Sequence, residues 1–172
     1  MVINELFSDK SRKPKEKTEQ LCSLLAEKKI RPDELVAFAQ NAKDPVKAGC
    51  IEALEYLTKT EPAAISEAAF DFCIRSLGEK APRIKWEAAR VIGNCIHLFP
   101  GKIKIAIPAL LDNTEHAGTV VRWSAAYAIS QIILLKTPVN KTLVPAAEAI
   151  IRREEKNSIR KIYLAALKKA AK

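Results

Sequence analysis

In the stretch 82–100, Ile84, Ala88, Val91, Ile92 and Cys95 stand at i, i+4, i+7, i+8 and i+11, with Lys85, Glu87, Arg90 and Asn94 among the residues between them. This spacing puts the apolar side chains on one face of a helix. The same pattern starts again at Val46, Val121 and Ile159, so its four copies begin 38, 37 and 38 residues apart. Repetition at such a period predicts a stack of helical units, each burying its apolar face against its neighbours.

Each copy is preceded by a second apolar-periodic segment. The predicted first helices cover about residues 32–42, 63–77, 103–115 and 141–155. Pro32-Asp33-Glu34 opens the first of them with proline and acids, as helix starts favour. Pro62, Pro100 and Pro138 mark where new units begin, which gives repeats at about 32–61, 62–99, 100–137 and 138–172. Pro108 and Pro145 lie 37 residues apart, each near the front of a first helix, and predict a repeated bend. Ahead of the repeats, Leu21, Leu24, Leu25 and Ile30 predict a helix over about 18–29. Residues 1–14 read as a basic, mobile N-terminal arm with one helical turn at 3–7, and the repeat domain as 15–172. The fold class is all-α: an α-α superhelix of about four helix pairs plus an N-terminal helix.

Several signatures resemble HEAT repeats. Ile84-Lys85-x-x-Ala88-Ala89-x-Val91-Ile92-Gly93 and Val121-Arg122-x-x-Ala125-Ala126-x-Ala128-Ile129-Ser130 are similar to the second-helix motif of that family. Pro108-Ala109-Leu110-Leu111-Asp112 is similar to its first-helix motif. Val46-Lys47 and Ile159-Arg160 begin weaker copies, with Cys50-Ile51 and Tyr163-Leu164 where alanine pairs are usual. The resemblance covers about 32–172, and the third repeat matches best. It implies a solenoid whose second helices line a concave binding side, and an aligned basic column at Lys47, Lys85, Arg122 and Arg160 that pairs with acids in adjoining turns. Asp44, Glu79 and Asp112 are the expected partners.

Counted from the leading Val or Ile (position 0), positions 2, 3, 6 and 10 project away from the core arc of a helical wheel. They hold Trp86, Glu87, Arg90 and Asn94 in the second repeat, and Trp123, Ser124, Tyr127 and Gln131 in the third. In the fourth they hold Lys161, Ile162, Ala165 and Lys169, and in the first Ala48, Gly49, Glu52 and Tyr56. The chain's two tryptophans thus share a register in adjacent repeats. Aromatic and Arg side chains clustered on one strip are typical binding hot spots. Trp86, Glu87, Arg90, Asn94, Trp123, Tyr127, Gln131, Lys161 and Lys169 are therefore the candidate binding residues. The competing reading makes each indole packing material for the neighbouring helix.

Charge adds a second theme. The net charge is +9, and residues 83–172 hold 16 Lys/Arg against 6 Asp/Glu. Such a half suits an acidic partner, or simply solubilises the chain. Cys22, Cys50, Cys73 and Cys95 lack metal-ligand or CxxC spacing and read as reduced core residues. No signal-peptide order or membrane-length apolar run is present, so a cytoplasmic protein is expected. His97 and His116 lie on different elements, and no nucleophile–base pair, glycine-rich phosphate loop or metal motif accompanies them. No catalytic residue, metal or cofactor is expected. The favoured reading is a non-enzymatic scaffold that binds a protein or peptide. The alternative is a nucleic-acid binder, similar to HEAT-like DNA-repair glycosylases, with phosphates on the basic half and bases on the indoles. A third, similar to HEAT-like chromophore lyases, has no residue to support it.

Overall fold

The computed structural model describes residues 2–172. Among the described residues the ten α-helices are α1 (Val2–Ser8), α2 (Pro14–Ala26), α3 (Pro32–Ala39), α4 (Asp44–Thr60), α5 (Glu67–Ser76), α6 (Pro82–Cys95), α7 (Ile103–Asn113), α8 (Thr119–Leu134), α9 (Asn140–Arg153) and α10 (Asn157–Ala170). No strand occurs among the described residues.

Local chemistry sets many of the helix starts. Proline occupies one of the first two positions of α2, α3, α4 and α6, where its missing N–H has no intrahelical partner to lose. Glu16 and Glu34 reach back to accept from the backbone N–H of Lys13 and Arg31, each at 2.7 Å. Ser66 caps α5 by accepting from the Ala69 N–H at 3.0 Å. That cap explains a correction. The predicted helix over 63–77 is a short 3-10 turn at Pro62–Ala64 followed by α5 proper. At its far end α6 stops at Cys95, before Pro100. The chain folds back through two 3-10 turns, and Phe99 stacks on Phe70 of α5 at 4.5 Å.

The helices form two layers. The second members α4, α6, α8 and α10 lie side by side, and α2 extends that layer beside α4. Among the first members, α3 touches α5 and α5 touches α7. The apolar seam is buried as the periodicity requires: Cys50, Ala53 and Leu54 in α4, Ala88, Val91 and Ile92 in α6, Ala125, Ala128 and Ile129 in α8 are sealed from solvent. Each large side chain so buried contributes about 1.5–3 kcal/mol relative to an exposed one. Pro108 and Pro145 lie inside α7 and α9.

The N-terminus differs from the expected arm. Val2–Ser8 is a two-turn helix with Ile3 and Leu6 buried, and Phe7 stacks on Phe38 of α3 at 5.1 Å. With Leu21, Leu24 and Leu25 of α2 also buried, α1 and α2 make a fifth helix pair at the head of the stack. The free thiols of Cys50, Cys73 and Cys95 are core residues, whereas Cys22 is only half-buried. No helix among the described residues is long and apolar enough to cross a membrane.

Candidate functional site: the second-helix face

The basic column is real, but its side-chain partners come from the following repeat. Lys47 pairs with Glu79 at 3.0 Å, and Lys85 donates to Asn113 Oδ1 and the Leu77 carbonyl, each at 3.1 Å. Arg122 grips both carboxylate oxygens of Glu154, at 3.0 and 3.3 Å, and donates to the carbonyls of His116 and Ala117. Asp44 and Asp112 take no part in these pairs. Arg160 is exposed on α10, beyond which no further repeat lies among the described residues. Each rung therefore locks one unit to the next.

The aromatic register is also present, in a narrower form than a single helical wheel implies. Position 3 points at the preceding second helix. A Cβ on Gly49 would lie 3.0 Å from Thr18 Oγ1 of α2, Ser124 is fully buried, and only 5% of Glu87 is exposed. Glu87 is thus removed from the exposed strip. It accepts from the Trp86 indole N–H at 3.0 Å, which fixes Trp86, and its other oxygen has no hydrogen-bond partner. Burial pushes its carboxyl above the usual range, and Glu52 and Glu55 of α4 add to this, against the Trp86 hydrogen bond and Arg90.

In α6 and α8 what stays open is positions 2, 6 and 10. Arg90 lies over the Trp123 ring, 5.4 Å from its centroid, and Tyr127 stacks on Trp123 at 6.2 Å. The Tyr127 hydroxyl donates to Asn94 Oδ1 at 2.6 Å. The Asn94 amide donates in turn to the Glu55 carbonyl and Thr58 Oγ1 of α4. One network therefore links α4, α6 and α8. Gly93 makes it possible, since a Cβ there would lie 2.3 Å from Tyr127 Cε1. Trp123 keeps 36% of its surface exposed and Tyr56 keeps 61%, while Trp86 and Gln131 are half-buried. The structure thus brings Trp86, Arg90, Asn94, Trp123, Tyr127 and Gln131 onto one face of α6 and α8. Lys161 and Lys169 are exposed on α10 and are not part of this network.

Sequence reasoning missed the part of this face that begins at α2. A cleft of about 930 Å³ opens between α2 and α4, with Gly49, Glu52 and Tyr56 of α4 on its wall. The signal lay in Leu21, Leu24 and Leu25, which match positions 4, 7 and 8 of the repeat when counting starts at Lys17.

No protein-family model matches the chain, and no curated protein matches it either. Its resemblance is to solved helical repeat structures. A designed armadillo repeat protein in complex with the peptide (KR)4 superposes with a TM-score of 0.73 at 20% identity, over 89% of this chain and 69% of that one. The fold is an armadillo/HEAT-like solenoid. A computationally designed armadillo repeat protein for modular peptide recognition gives a TM-score of 0.67 at 19% identity over 78% of this chain, which spans 62% of that protein. The complex of CpcE and CpcF of phycocyanin lyase from Nostoc sp. PCC7120 gives 0.66 at 17% identity, over 96% and 97% of the two chains. At these identities the likeness concerns the fold alone.

Proposed function

We propose that the second-helix face of α4, α6 and α8 binds an extended peptide segment of a protein partner, and that the chain acts as a non-enzymatic scaffold. The observation that carries this reading is the Arg90–Trp123–Tyr127–Asn94 array. It holds a part-exposed indole on a surface strip, already stacked between Arg90 and a Tyr127 that is itself hydrogen-bonded to Asn94, before any ligand arrives. A pre-ordered aromatic spends little conformational entropy on binding, so its contact area converts efficiently into affinity. The peptide-binding designed proteins that share this fold support the same class of ligand.

Charge placement favours a peptide over a nucleic acid. Glu52 and Glu55 stand beside the aromatic strip, where both push up the Cys22 thiol and the Glu87 carboxyl and Glu55 pushes up the Tyr127 hydroxyl. A phosphate backbone tracking past the indoles would meet these carboxylates. In the basic C-terminal half, Lys102 is held by Glu67 and Asp71, Arg122 by Glu154 and Arg153 by Glu115. The cations without such partners are spread over α7, α9 and α10, at Lys104, Lys141, Arg152, Arg160, Lys161, Lys168 and Lys169, and Arg90 lies against Trp123.

The test is a display selection with random nonapeptides on the native protein, counter-selected on Trp123→Ala. Binding peptides whose affinity falls about 5- to 30-fold in Trp123→Ala, as for a hot-spot aromatic worth about 1–2 kcal/mol, support the reading. Enrichment of the same peptides by both proteins, or of none, refutes it.

A further inference from the structure

We infer that the cleft between α2 and α4 is the anchor pocket of the peptide strip, and that it takes a bulky apolar side chain flanked by carboxylates. The inference rests on the peptide-binding reading and adds the chemistry of the ligand. Position comes first. Two α4 residues on the cleft wall, Glu52 and Tyr56, stand at positions 6 and 10, the register that carries Arg90, Asn94, Tyr127 and Gln131 farther along. Cleft and aromatic strip are therefore parts of one surface. Helix spacings of about 8–10 Å make the path from α2 to α8 about 24–30 Å, the reach of an eight- or nine-residue extended segment.

The lining specifies the anchor. Phe7, Cys22 and Val46 give the cleft apolar walls, and about 930 Å³ accommodates an aromatic side chain with room for its backbone. Gly49 keeps the wall low, since any side chain there would press on Thr18. The charged groups that line the cleft are Arg12, Lys15, Lys17 and Arg83 against Glu19 and Glu52 only. Glu52 is paired with Arg83, and Glu19 only loosely with Lys15 at 3.9 Å. Lys17 sits over the Phe7 ring and donates to the Phe7 carbonyl, so its charge is held at the α1 end of the cleft. Arg12 is paired with Asp9 at 3.0 Å, so Lys15 and Lys17 form the cationic rim beside the apolar pocket. A segment with Asp or Glu next to Phe or Leu complements both.

Cys22 supplies a direct readout. It lines the cleft, while Cys50, Cys73 and Cys95 are sealed in the core. Burial, with Glu52, Glu55 and Glu19 adding to it, pushes its thiol up to about 11, so alkylation is slow and measurable. The probes are three fluorescein-labelled nonapeptides built on Ser, Thr and Gly. One carries two Asp beside a Phe near one end, one has Lys for Asp, and one has Ala for Phe. Binding is followed by anisotropy, and Cys22 modification by iodoacetamide and mass spectrometry at pH 8.5.

The Asp/Phe peptide should bind at least tenfold more tightly than the other two and slow Cys22 alkylation at least fivefold. Ser23→Trp, an exposed position at the cleft that leaves the core untouched, should abolish its binding, with circular dichroism confirming the fold. Binding that depends on Trp123 but leaves the Cys22 rate unchanged overturns the anchor pocket and spares the peptide strip. Preference for the Lys peptide also overturns the inference. Failure of all three probes, together with failure of the nonapeptide selection, removes both readings.

Discussion

Gly93→Ala tests the interlock of α6 and α8 most sharply. Alanine is the better helix former by about 1 kcal/mol, so propensity alone makes the substitution stabilising. The structure requires the opposite. A Cβ at position 93 would lie 2.3, 2.6 and 3.0 Å from Cε1, Cδ1 and Cζ of Tyr127, and a phenol ring cannot bend away. The ring must be displaced as a unit, which strains the 2.6 Å bond to Asn94 and the stack on Trp123. Overpacking costs about 1–3 kcal/mol, and a lost hydrogen bond about 1 kcal/mol more. After the propensity gain the net loss is about 1–3 kcal/mol. For a chain of this length, that lowers Tm by about 3–10 °C. Urea denaturation followed by circular dichroism measures it, and tryptophan emission should shift as Trp123 loses its neighbour. The decisive comparison adds Tyr127→Ala. In that background the clash is gone, so Gly93→Ala should turn neutral or stabilising by up to about 1 kcal/mol. A Gly93→Ala protein as stable as the parent, or a loss that persists without the Tyr127 ring, refutes the reasoning.

Other outcomes follow from the same geometry. Arg122→Ala strands the buried Glu154 carboxylate and should cost about 3 kcal/mol in urea denaturation. Burial pushes the Glu154 carboxyl up, but Arg122, the Lys156 N–H and Arg153 together outweigh it and hold it below the usual range. Its stabilisation is therefore present above the unfolded value and lost as pH falls through the folded one, and Arg122→Ala should flatten that acid limb. Glu87 has the opposite sign. Its folded value is raised, so stability falls as pH rises from the unfolded value through the folded one. The stability of Glu87→Gln relative to the parent should grow between pH 4 and pH 8, and a constant difference across denaturation curves contradicts this. Tyr163 is fully buried with its hydroxyl unpaired, so Tyr163→Phe should be neutral or stabilising by up to about 1 kcal/mol in the same assay.

The periodic record at Ile84, Val121 and Ile159 was enough to read the two-layer solenoid, because burial in a helix stack obeys one simple period. The basic column is legible as a column, and of its partners Glu79 is among the expected acids whereas Asn113 and Glu154 are not. Glu79 and Glu154 belong to the next repeat, and only the spacing between units brings them near. Glu87 and Ser124 were placed on the binding strip because a helical wheel treats one helix alone. In the stack, neighbours on both sides cover the shoulders of each second helix, and position 3 disappears beneath the preceding one. The sequence marks α2 as a lone helix and α1 as a single turn, and their pairing is hidden because the interval to the first repeat breaks the 37–38-residue period. A run of lysines there also reads as a solvated arm, although Ile3, Leu6 and Phe7 dock it onto the stack.

The central claim is that the second-helix face holds the ligand. Its most direct test is a ¹H–¹⁵N spectrum of the native protein, in which Trp86 and Trp123 give two indole N–H signals, titrated with a nonapeptide from the selection. The account predicts that the Trp123 signal moves most, with the backbone amides of Arg90, Asn94, Tyr127 and Tyr56 shifting alongside it. Shifts confined to α10 or to the first-helix layer, with both indole signals unmoved, would contradict it.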